Sequence, residues 1–111
     1  MPQLVYLTDK PVRVTSAQKQ ELRLAVDVGA VDEMDLLLTV HEGSSVSVKV
    51  ITGMQIENGD VGWVDVASFT ALSATQSEKK NLVNLLRYVR WEVTSSGNAT
   101  FMLSGMARSW S

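Results

Sequence analysis

The sequence predicts an all-β, single-domain antiparallel β-sandwich, jelly-roll-like, with about eight strands, on three observations. The dominant hydrophobic period is two rather than 3.6. Clusters of Gly with Asn, Asp or Ser interrupt the alternating runs, in "DVGAVDE", "HEGSS", "IENGDVG" and "TSSGNA". About eight such runs fit into 111 residues, the strand number at which jelly rolls occur.

The elements follow in order. Residues 3–7 and 11–16 read as short strands, and residues 1–20 together as an N-terminal arm or edge strand, with "MPQLVYL" as a contact strand. In "ELRLAVDV", Leu22, Leu24, Val26 and Val28 alternate with Glu21, Arg23, Ala25 and Asp27, which predicts a strand over 20–28. In "MDLLLTVHE", Leu36, Leu38 and Val40 form the buried row of a strand over 33–41. Val46, Val48 and Val50 do the same for 45–55. Asn58-Gly59 then signals a tight hairpin before a strand at 62–69. A strand over 79–89 merges toward 94 after a bend, with Val89, Trp91 and Val93 inward and Tyr88, Arg90 and Glu92 outward. The last strand, 99–109, turns Phe101, Leu103 and Ala107 to one face and Thr100, Met102, Ser104, Met106 and Arg108 to the other. Two segments also carry helical signals. "TSAQKQEL" offers Thr15 or Ser16 as an N-cap, and from Ser77 a helical turn over 77–81, or a longer helix through Leu82, Leu85, Leu86 and Val89, competes with the strand reading.

Composition narrows the function. Hydrophobic residues make up 45% and charged residues 20%, an ordinary globular balance. The net charge of -2 lacks the basic excess that phosphate binding demands, so no nucleic-acid partner is expected. There is no cysteine, which removes disulfides, thiolate nucleophiles and Cys-based metal sites. No signal peptide and no apolar stretch of about 20 residues is apparent, so neither a secretory leader nor a membrane partner is expected.

No catalytic residue, cofactor site or metal site emerges. His41 is the sole histidine, and Asp35 lies about 20 Å from it along the same extended strand. The acids Asp27, Asp32, Glu33 and Asp35 lack a spaced calcium-ligand pattern and read as a solvated loop. Neither a nucleophile elbow nor a phosphate-binding glycine motif occurs. Gly105, inside a strand pattern, reads as a bulge or a close backbone approach. Leu37, Ile51, Met102 and Met106 are apolar at outward positions, where a two-layer monomer should be polar. Something is therefore expected to cover them, and Tyr6, Leu37, Tyr88, Arg90, Met102, Met106 and Trp110 are the candidate interface residues. Tyr88 with Arg87 or Arg90 is the alternative platform, for a carbohydrate or other ligand.

Over residues 33–107 the sequence resembles small virion proteins of tailed bacteriophages. The resemblance rests on "MDLLLTV", on Trp63, Val66 and Phe69, on "RYVR" at 87–90, and on Phe101, Leu103 and Gly105. It implies a jelly-roll-like sandwich that decorates or cements a phage head, or forms another head or tail part. It further implies a non-enzymatic homo-oligomer bound to the major capsid protein or another virion protein, made in the bacterial cytoplasm and located in the virion. The motifs encode a sandwich core and would also suit carbohydrate-binding modules, and they define no site residue.

Overall fold

A computed structural model describes residues 3–8, 11–29, 31–57, 59, 61–95 and 97–108, and for Gln3, Val5, Tyr6 and Arg23 the backbone alone. The strands are β1 (Gln3–Tyr6), β2 (Val12–Val14), β3 (Gln18–Lys19), β4 (Val26–Asp27), β5 (Glu33–Glu42), β6 (Ser47–Gly53), β7 (Val64–Ser68), β8 (Ser77–Val83), β9 (Tyr88–Thr94) and β10 (Ala99–Arg108). They form two antiparallel sheets. The front sheet runs β1-β10-β5-β8, with β2 also on β10; the back sheet runs β3-β9-β6-β7, with β4 also on β9. Taking β1 with β2, and β3 with β4, as single interrupted strands leaves eight positions, ordered 1-8-3-6 and 2-7-4-5. Successive strands thus cross from one sheet to the other at every step except 4 to 5, which is a jelly-roll winding.

The predicted inward rows pack between the sheets. Leu36, Leu38, Val40, Phe101, Leu103 and Ala107 come from the front, where Met34 joins them; Val48, Val50, Val89, Trp91 and Val93 come from the back. Trp91 and Phe101 meet across the gap edge-to-face, with ring centroids 5.0 Å apart. That geometry sets the positive ring edge of one against the negative face of the other.

Four local expectations are corrected. The strand over 20–28 is broken by a 3₁₀ turn at Leu22–Leu24, closed by the Leu24 and Ala25 amides on the Glu21 and Leu22 carbonyls. Gln20 sits opposite Trp91 and Val26 opposite Val89, so residues 21–25 loop out where β9 supplies only Arg90. No helix starts at Thr15 or Ser16; bends lead into β3. Residues 77–83 form neither a helical turn nor one strand continuous with 94: β8 lies in the front sheet and β9 in the back. The long-range ladder with β5 outweighs the helical spacing, because Leu82 reaches the core opposite Met34. Finally, β6 and β7 are joined by residues 54–63 rather than a tight hairpin. Gly59 has positive φ, and Asn58 lies outside the described residues.

Candidate docking surface

The outer face of the front sheet is built from the alternate residues of β10, β5 and β8. Register places Leu4, Met106, Asp35 and Asn81 in one row across four strands. Ser104, Leu37 and Lys79 occupy the next row, with Tyr6 opposite Ser104 by backbone. Leu4 is 66% exposed, Leu37 43% and Met106 37%, while Met102 is half-buried. Leu4, Leu37 and Met106 line a shallow apolar depression of about 280 Å³, together with Asp35 and Lys79.

The floor depends on Gly105. A Cβ there would lie 2.0 Å from the Asp35 carbonyl oxygen and 2.9 Å from a Leu36 methyl. The glycine is a close backbone approach between β10 and β5, one of the two readings its position allowed.

Ion pairs bound the apolar band. At one end Arg108 pairs with Asp35 and, at 3.5 Å, with Glu33. Asn81 donates to both carboxylates, at 2.8 Å to Asp35 and 3.1 Å to Glu33. The Asn81 hydrogen bond first, and Arg108 second, hold the Asp35 carboxyl below its ordinary range. At the other end Arg13 lies 4.0 Å from Glu42. Two of the acids considered for calcium are therefore engaged by Asn81 and Arg108. Among the described residues no group of three His, Cys, Asp or Glu side chains converges to hold a metal.

The back sheet presents a different outer face. Ile51 is buried, and so is Arg90, at 3% exposure. Ile51 was expected outward and covered; Arg90 was expected at an open outward position, and that expectation is corrected: Trp63 and the Gln20 carbonyl enclose it. The Trp63 indole lies against Gly53, where an added Cβ would come within 2.9 Å of the ring. It also lies 5.0 Å from the Arg90 guanidinium, in a cation–π contact. Its Nε1–H donates to the Gly59 carbonyl at 2.9 Å, which ties the connection 54–63 onto the sheet. Lys49 beside it bridges Glu92 at 3.2 Å and Asp65 at 3.3 Å.

Tyr88 is half-buried, with the Arg87 guanidinium 5.2 Å over its ring and Arg87 in turn 3.5 Å from Asp27. Arg87 thus occupies the neighbourhood a stacked sugar would need, and Arg90 is not beside it on an open platform. The side chain of Tyr6 and all of Trp110 lie outside the described residues.

The structure brings Leu37, Met102 and Met106 to one face and separates them from Tyr88 and Arg90 on the other sheet. Three residues have roles that the sequence did not assign to them individually, although Leu4 lies in the contact strand "MPQLVYL" and Trp63 in the resemblance. Leu4 sits in an uncharged run without clear alternation. Trp63 covers a sheet from a connection whose path no local pattern encodes. Gln20 is 5% exposed and donates from its side chain to the Leu7 and Leu24 carbonyls, both at 3.0 Å, while accepting from the Trp91 amide at 3.3 Å.

No protein-family model and no curated protein matches this chain. Solved structures do. The chain is similar to the PBSX exported protein XepA, with a TM-score of 0.65 and 17% identity, over 98% of this chain and 38% of that one. It therefore spans well under half of XepA. It is similar to the SPBc2 prophage-derived protein YomS, with a TM-score of 0.56 and 18% identity over 96% of this chain and 92% of that one. It is also similar to a protein of Bacillus endospore appendages, described as disulfide-linked pili, at a TM-score of 0.58 and 13% identity, over 100% of this chain and 88% of that one. This sequence has no cysteine with which to form such links. At these identities the likeness is one of fold: the chain is an antiparallel jelly-roll sandwich of the kind these proteins contain.

Proposed function

We propose that this protein is a non-enzymatic structural component of a phage or phage-like particle, a decoration protein that docks on the shell through the outer face of the front sheet. The observation that carries the reading is the exposed row of Leu4, Leu37 and Met106 lining one depression on the outer face of the front sheet. An apolar centre with ion pairs at its ends matches the anatomy of a protein interface. The shared fold with a prophage-derived protein over nearly the whole chain supports the particle setting. The major capsid protein or another virion protein is the partner.

The test is co-sedimentation of the purified protein with particles from its source, followed by negative-stain microscopy. Leu37→Lys and Met106→Lys should abolish co-sedimentation while leaving the thermal midpoint nearly unchanged, since both side chains are partly exposed. Wild-type protein that never binds a particle, or variants that bind as well as wild type, would remove the reading.

A further inference from the structure

Among the described residues the sandwich has four open edges, and they are not equally protected. A bare sheet edge presents unpaired N–H and C=O groups, and charges, bulges or brevity normally guard it. On the front sheet β8 carries Glu78, Lys79 and Lys80. On the back sheet β3 and β4 are two residues each, with Lys19 and Asp27 among them. Edge strand β7 carries Asp65 and shifts register against β6. Segment β2 is three residues long and contains Arg13, which faces Glu42. The other stretch of that same edge, β1, reads Gln3-Leu4-Val5-Tyr6: within these four residues there is no charge, no proline, and an unbroken register with β10.

We infer that β1 is a self-association edge, on which β1 of a second copy pairs antiparallel across a two-fold axis to join two front sheets into one. Three features select a second copy as the occupant. Antiparallel pairing of a strand with itself is isologous, so one short sequence supplies both sides. The pairing brings no charged residue of β1 against its like, whereas β8 meeting β8 would set the Lys79-Lys80 pairs of two copies a strand spacing apart. The apolar row also ends at this edge in Leu4, 66% exposed and next to Met106. A two-fold axis perpendicular to the sheet turns both outer faces to the same side, so the row continues as Leu4 of one copy beside Leu4 of the next. The inference concerns the edge and the particle reading the face; the two share Leu4.

The experiment uses the full chain, which lacks cysteine. Sedimentation equilibrium over a wide concentration range should show a monomer–dimer equilibrium. Leu4→Lys should weaken it by at least about tenfold, the effect of placing like charges across the axis. Leu4→Cys should give a cross-linked dimer under mild oxidation, and Lys79→Cys should not. A chain that stays monomeric, or a dimer that Leu4→Cys fails to capture or that Lys79→Cys captures equally well, overturns the inference. Since Leu4 also belongs to the docking row, Leu4→Lys and Leu4→Cys are read by dimerisation alone. Loss of particle binding by Leu37→Lys with the dimer intact identifies the face independently.

Discussion

Arg90 donates its Nε–H to the main-chain carbonyl of Gln20, 70 residues earlier, at 2.9 Å. The bond falls where the strand opposite β9 loops out. It lies under the Trp63 ring, and the Gln20 side chain ties the same point to Leu7 and Leu24. One buried knot therefore holds the N-terminal segment, the 3₁₀ turn and β9 together.

Gln20→Ala should cost about 3 kcal/mol, because it leaves the buried Leu7 carbonyl and Trp91 amide short of a partner at about 1–3 kcal/mol each, while water can replace it at the part-buried Leu24 carbonyl. Arg90→Met, which keeps the length but not the donors, should cost about 2 kcal/mol. Denaturant titration reads both. The double variant should lose less than the sum, since the residues share one network.

Trp63→Ala should lower stability by about 3 kcal/mol and uncover Arg90. Gly53→Ala tests the same contact from below. Its methyl would stand within 2.9 Å of the indole, so the ring must shift. The expected loss is about 1–2 kcal/mol. In both variants the Arg90 Hε resonance should move toward its ordinary position as the ring current is lost; an unchanged resonance would contradict the stacking.

Gly105→Ala should be the costliest single-methyl change on the front sheet, about 3 kcal/mol, since the clashing atom is the Asp35 main-chain oxygen and not a mobile side chain. Thermal unfolding checks the magnitude. Amide exchange should show β10 and β5 loosened around this pair.

Asp35 supplies a pH dependence. Its folded pKa is depressed below the ordinary 3.8, so its contribution to stability is present above that value and is lost as pH falls through the lower folded pKa. Asp35→Asn should melt below wild type at pH 6, and the gap should close on acidification beneath about pH 3.8. A gap that is constant with pH would mean that the carboxylate charge contributes nothing.

The alternation of apolar and polar residues by itself determined the fold class and most of the core. Val46, Val48 and Val50, or Leu36, Leu38 and Val40, can be assigned to one face from local order alone, because successive side chains in a strand point to opposite sides. The same logic placed Leu37 and Met106 outward. It failed where a residue's environment comes from a distant segment. Arg90 alternates outward and is nonetheless buried, since Trp63 arrives from a connection that the two-residue period does not describe. The breaks in the 20–28 and 79–94 runs likewise follow from pairing with β9 and β5 rather than from propensity. Which edge stays bare is decided the same way: β1 becomes an edge only because β10, about a hundred residues later, takes its other side. Local pattern specifies which way a side chain points; only the assembled sheets specify what it meets there.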